Sequence, residues 1–448
     1  MSRTTFHRFL VPALLCVLGT IPALADSHVR IVRLSMVEGS VRVDRGSGQF
    51  EKAITNLPIT QGMKLRTGYD GRAEVEFENG STVRLAPESA IQFSDLSLRD
   101  SGTKVSGVEV TKGTAYVESN GSKDDELTVL FGQEKVAFTH AAHARVGVDK
   151  SGASFAVFKG DLDVDGPSGE IEVKKNQTAD FDFSSNDRFT LAKKIQTEPE
   201  DDWDREQDQY HQRYASNSYN KYSPYAYGTS DLAYYGNFFN APGYGMMWQP
   251  YFAGAGWDPF MDGAWSFYPG FGFGWVSAYP WGWTPYHYGT WLFLPGYGWA
   301  WQSGGVWMPM YTQVAVLNAP AGFVAPKAPA SGTGTVIVNR GPASTIATRS
   351  GSKVIIRNNS AGIGVPRGQF DNMAKLSQKV QTRGTVTEHV STAPAEGFGG
   401  MSSRSGGSRG GMRSSESRAS EPRMSEPHSM SFPSAGSAGS HGSSAPHK

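Results

Sequence analysis

The chain has 448 residues with 42 basic and 42 acidic side chains, a formal charge of zero. That balance removes the basic face on which nucleic-acid binding depends, so no nucleic-acid partner is expected. A single cysteine excludes an intrachain disulfide and a thiolate metal site, and 53 glycines with 25 prolines argue against one compact enzyme.

Arg3, His7 and Arg8 precede a mostly apolar run from Phe9 to Leu24, and Ala23-Leu24-Ala25 is a small-x-small site before Asp26. This is the pattern of a cleaved secretory signal over residues 1–25, and it implies a periplasmic, extracellular or cell-surface location. Pro12, Pro22 and the shortness of the run argue against a permanent membrane span. Cys16 lies inside this segment behind Leu15, where lipidation would want a small residue.

Residues 29–191 read as all-β, a sandwich or β-roll. Short runs such as Ala73-Glu74-Val75-Glu76-Phe77 and Thr82-Val83-Arg84-Leu85 alternate apolar and polar residues. That period puts one face in a core and the other in water. Turn signals separate the runs at Tyr69-Asp70-Gly71, Glu78-Asn79-Gly80-Ser81, Lys112-Gly113 and Lys159-Gly160-Asp161. Asn79-Gly80 suggests a two-residue hairpin turn with positive φ at both positions.

Val37-Glu38-Gly39-Ser40-Val41, the stretch from Ile59 to Gly68, Asp70-Gly71-Arg72-Ala73-Glu74-Val75 and the stretch from Asn79 to Ser89 together resemble the FecR domain. The segments Val108 to Val117 and Val157 to Val164 continue the likeness, which covers roughly residues 35–185. The resemblance implies a domain outside the cytoplasm. The best-known members relay outer-membrane iron-transport signals to a sigma factor, and carry a cytoplasmic anti-sigma segment ahead of a membrane span. Here the residues before Asp26 form the expected signal instead.

Residues 196–227 form a charged linker. Thr197 to Gln212 is compatible with a helix, with Pro199 and early acids suited to a first turn, and a solvated spacer is the expectation.

Residues 228–311 are a Gly/Trp/Tyr-rich repeat module of short hairpins. Ten of the eleven tryptophans lie between Trp248 and Trp307, and no Lys or Arg occurs from Tyr222 to Pro326. A period of 26 pairs Trp257 with Trp283, Trp265 with Trp291 and Trp275 with Trp301, and a weaker copy starts at Gly236. Such a repeat implies one small unit stacking on the next. Two roles are open for the rings. They can form the core of the hairpins, or some can stay exposed to stack on envelope polysaccharide or a protein partner. Rings present in both copies are expected to be structural: Trp257, Trp265, Trp275, Trp283, Trp291 and Trp301. Trp281, Trp307, Tyr286 and Tyr288 are the candidates for ligand contact. Similar repeats follow FecR domains in a group of exported bacterial proteins.

Residues 312–396 are Ala/Gly/Pro/Val-rich, with short strands suggested at Thr335 to Val338 and Lys353 to Ile356. Phe370, Met373, Leu376 and Val380 can share a helix face. Residues 397–448, rich in Ser, Gly and Arg, hold too little apolar surface to offset the entropy of ordering, and disorder is expected there.

No catalytic constellation, cofactor motif or metal site is expected. His140 and His143 lack further ligands. Asp258 and Asp262 resemble a carboxylate pair, but the sister repeat has Thr284 and Tyr288 there, which points to turn chemistry. His287 is expected to pack or sit at a rim. The sequence thus suggests a non-enzymatic envelope protein, either a binding or scaffolding module or a FecR-like signal-relay component.

Overall fold

The computed structural model describes residues 30–185, 187–215, 221–312, 316–340, 348–350 and 352–390. The expected signal at 1–25 and the expected disordered tail at 397–448 lie outside them. The first domain is all-β, with 17 strands between Val32 and Ala192. One strand of 17 residues, Lys104–Asn120, belongs to both of its layers. Its first half pairs antiparallel with Ala90–Leu98 and parallel with Asp125–Phe131. Its second half pairs with Thr82–Leu85 and Ala141–Val148.

The crossing point is Gly113, at φ +75°, where a Cβ would meet Ser89 Oγ at 2.5 Å. Only glycine fits there. Lys112-Gly113, expected as a turn, is therefore a bend in a continuous strand. At Asn79-Gly80 only Gly80 takes positive φ. Phe77 N donates to Ser81 O at 2.8 Å, which closes a three-residue loop rather than a two-residue one. Between the layers, Val32, Leu34, Val75, Val83, Val108, Val129, Val146 and Phe155 are fully buried, each worth about 1.5–3 kcal/mol.

The aromatic domain is built on three hairpins: Gly236–Ala241 with Gly245–Pro250, Asp262–Tyr268 with Gly272–Ser277, and Thr290–Leu294 with Gly298–Gln302. The same turn closes each. Pro242-Gly243, Pro269-Gly270 and Pro295-Gly296 occupy its centre, with φ near +80° at all three glycines. Tyr244, Phe271 and Tyr297 donate their N–H back across it. Proline then glycine is the type II pattern.

The hairpins do not stack in chain order. The first pairs with the third through Trp248 and Trp301. The second is extended by Thr335–Asn339, which sets Val336 opposite Trp265.

Among the described residues there are also four α-helices, α1 (Asp201–Tyr214), α2 (Thr229–Tyr235), α3 (Thr284–His287) and α4 (Met373–Arg383), and a further sheet of Thr348–Ser350, Lys353–Arg357 and Thr385–His389. The linker is not a solvated spacer. Helix α1 buries Trp203, Asp204, Gln207 and Tyr210. Helix α4 buries Met373, Leu376 and Val380, and Val354, Ile356, Val365 and Phe370 join it in the aromatic core. The β-domain core in turn takes in Tyr268, Val276 and Met310 from the aromatic domain. No described helix is long and apolar enough to cross a membrane.

Candidate functional site

The six rings expected to be structural are buried, from 0% exposed at Trp283 and Trp301 to 3% at Trp257. Trp281 and Tyr286, expected to face a ligand, are 0% and 1% exposed, so both belong to the core. Trp281 stacks on Tyr279 at 5.0 Å and donates Nε1–H to Ala361 O at 2.6 Å. Tyr286 donates its hydroxyl to Pro259 O. Trp307 is half-buried, stacked against His287 at 5.3 Å and Tyr227 at 5.5 Å. Tyr288 is half-buried, and its carbonyl accepts from Trp301 Nε1 at 2.7 Å. Ala361 reaches Trp281 from beyond the repeat module, whereas Tyr286 packs among Phe260, Trp281, Trp291 and Tyr311 of the module itself.

The exposed rings are others. Tyr244, Phe271 and Tyr297 are 38%, 51% and 48% exposed. They hold the position after Pro-Gly in all three turns. The repeat preserves them as it preserves the six tryptophans, so recurrence alone does not separate exposed rings from core rings. The turn places them outside.

His140 and His143 do not converge. His143 lies 2.8 Å from Asp204 and 3.5 Å from Glu118, whereas His140 is exposed. Burial works against a charge on His143, but the two carboxylates raise its pKa. Asp258 pairs with Arg340 at 2.7 Å and accepts from Phe260 N at 2.8 Å. The Asp262 carboxylate accepts from the Tyr279 hydroxyl at 3.4 Å. Burial raises both carboxyls. His287 is buried and donates Nδ1–H to Met308 O at 2.7 Å.

Two larger features stand out. The first is a buried ion network where the domains meet. Glu74 and Glu76 were expected on the water face of their strand, yet they are 0% and 2% exposed. Glu74 pairs with Arg84 at 2.9 Å, Arg367 at 2.7 Å and His211 at 3.0 Å. Arg33 bridges Glu76 at 3.1 Å and Asp231 at 2.6 Å. Arg84 reaches Asp204 on α1 at 2.8 Å, and Arg367 reaches Asp231 on α2 at 3.0 Å. Burial would raise the Glu74 carboxyl, but His211, Arg367 and Arg84 together hold it well below the usual range. Buried charges persist only when paired in this way. The contacts therefore tie strand 72–76 to α1, to α2 and to residue 367 at once. Asn56 Nδ2 adds bonds to Ser277 O and Tyr279 O at 3.0 and 2.7 Å.

The second is a cleft of about 810 Å³ on the aromatic domain, between the first and third hairpins and α4. Tyr251, Trp257, Phe293, Tyr297 and Trp299 supply rings, and Asn237, Gln249, Gln378 and Gln381 supply amides. Among the described residues, no charged side chain lines it. Trp257 and Trp299 are the deepest, at 3% and 5% exposed. Gln249 Nε2 bonds Tyr297 O at 2.7 Å and Trp299 O at 2.9 Å, fixing the hairpin wall.

Residues 63–163 match the FecR protein family, and residues 229–330 match a family of unknown function, DUF6600. No curated protein sequence matches the chain. Two crystal structures of a candidate anti-sigma factor from Parabacteroides distasonis resemble it at 16% and 15% identity, with a TM-score of 0.26 in both. The likeness covers 29% of this chain and 59% of theirs, so the chain spans little more than half the length of those solved relatives. The second match runs past Tyr311 to include the strand Val316–Leu317, which adds to the third hairpin. The chain thus carries a β-domain that matches the FecR family and, joined to it, a Gly- and Trp-rich repeat domain that matches the DUF6600 family.

Proposed function

We propose that this chain is a non-enzymatic FecR-type regulatory component that acts outside the cytoplasm, where its aromatic domain holds a partner and its β-domain passes on that state. The apolar run from Phe9 to Leu24 and the Ala23-Leu24-Ala25 site support export. The observation that carries the relay reading is the ion network around Glu74. A partner bound to the aromatic domain acts on groups wired to the FecR strand 72–76 through Arg33, Arg367 and Asp231. Domains joined only by a flexible linker would move independently. Here the β-domain follows.

Transcript profiling tests this reading. A deletion strain should differ from one complemented with the full chain, and complementation with Arg367→Met should fail while the protein still accumulates. If deletion changes no transcripts, the relay reading falls. A second reading, a scaffold that only holds envelope polymer, is favoured by the uncharged cleft and survives that result.

A further inference from the structure

The cleft between the first hairpin, the third hairpin and α4 has a composition that names a ligand class. We propose that it binds a neutral glycan chain, an inference that rests on the reading that the aromatic domain holds a partner. Its walls combine flat rings with side-chain amides and exclude charge, in a chain where 19% of residues are charged. Each element of that combination has a counterpart on a pyranose ring. The axial C–H face carries slightly positive hydrogens that suit the negative face of an aromatic ring. Hydroxyls both donate and accept, as amides do. A neutral sugar leaves no charge to desolvate, so a site without Lys or Arg binds it without an unpaired ion.

The geometry separates fixed from free groups. Gln249 is already committed to the carbonyls of Tyr297 and Trp299, so it sets the shape of the wall. Gln378 and Gln381 are exposed on one side of α4, spaced by three, and adjacent along the helix surface. Tyr297 stands at the rim, stacked on Phe239 at 5.4 Å, which holds its ring in place. The volume of about 810 Å³ falls within the range of about 300–1,000 Å³ common for ligand sites, and its open side suits a chain that runs through rather than a sugar that is enclosed.

The repeat supplies its own control. Phe271 occupies the turn position equivalent to Tyr297 and is equally exposed, but it lies outside the cleft. The full-length protein is titrated with cellohexaose and with chitohexaose, following tryptophan fluorescence and calorimetric heat. At least one of the two neutral sugars should bind. Tyr297→Ala should weaken that binding about tenfold or more, and Gln381→Ala severalfold, with thermal midpoints unchanged. Phe271→Ala should leave it as it was. The proposal is overturned if neither sugar binds, if dextran sulfate binds as tightly as the neutral chains, or if Phe271→Ala and Tyr297→Ala lose binding alike. It is also overturned if a peptide from residues 397–448 of this chain displaces the sugars competitively at equal concentration, since the cleft then serves the protein's own tail. These results are independent of the transcript test. Loss of the glycan site leaves the relay reading standing if deletion still alters transcripts.

Discussion

Trp281 shows how far a single ring's role depends on what covers it. It is 0% exposed and packs within 4.9–6.2 Å of Trp248, Tyr279, Trp291, Trp257 and Tyr286. Trp281→Ala should therefore cost about 3–5 kcal/mol in denaturant unfolding. Phe271→Ala, at a turn 51% exposed, should stay within about 0.5 kcal/mol. Equal costs would mean that the ring is not in the core. His287 makes a pH prediction. Burial pushes its imidazole down from 6.5 to about 4. The folded state thus binds fewer protons than the unfolded state between those values. The stability contributed by neutral His287 is fully present above pH 6.5 and is lost as pH falls through 4. The loss amounts to about 3 kcal/mol at most. Melts of the protein and of His287→Asn across pH 7 to 4 check this: the variant should show the shallower decline.

At the scale of elements, the repeated turn isolates a backbone effect. Gly296 sits at φ +79° with nothing within 4 Å of where a Cβ would stand. Gly296→Ala adds no clash, so its cost is the left-handed conformation alone, about 1–2 kcal/mol. Chemical denaturation should report that value, and a larger one would point to a contact not seen here. The same turn explains the exposed rings. A type II turn puts its fourth residue at the mouth of the hairpin, so Tyr244, Phe271 and Tyr297 project from the tips while the mid-strand tryptophans face inward. Helix α1 follows a different logic. Its acids made it look solvated, but Asp201 and Asp204 meet Arg145 and Arg84 at 2.6 and 2.8 Å on the β-domain. Charge complementarity, invisible in either segment taken singly, turns a linker into a strap.

For the whole molecule, the ion network predicts cooperative unfolding. Arg367 contacts Glu74 and Asp231 from a segment about 290 residues away from Glu74 in sequence. Arg367→Met leaves both buried carboxylates short of a partner, a loss of about 3–5 kcal/mol. Calorimetry of the unaltered protein should show one transition. The variant should show two, with the aromatic domain melting first. A single unshifted transition in the variant would sink the idea that these contacts couple the domains.

The sequence by itself determined the local geometry. Alternation fixed the strands of the β-domain, and the segments from Gly39 to Ser89 carried the family likeness. Pro-Gly with a second glycine two residues on fixed three hairpins, and the spacing of Met373, Leu376 and Val380 fixed a helix face, although Phe370, expected on it too, precedes the helix. These depend on neighbours within a few residues, which a linear pattern records. Tertiary structure decided which surfaces remain open. Strand 72–76 alternates like a half-exposed strand, yet α1, α2 and Arg367 cover its polar face and neutralise Glu74 and Glu76. The hairpins read as neighbours in order, yet the first pairs with the third. Rings that the sequence left free to stay exposed share a core with residues 335–339 and 352–390. Burial of a large ring depends on every segment that can reach it, and the chain supplied those segments from far along its length.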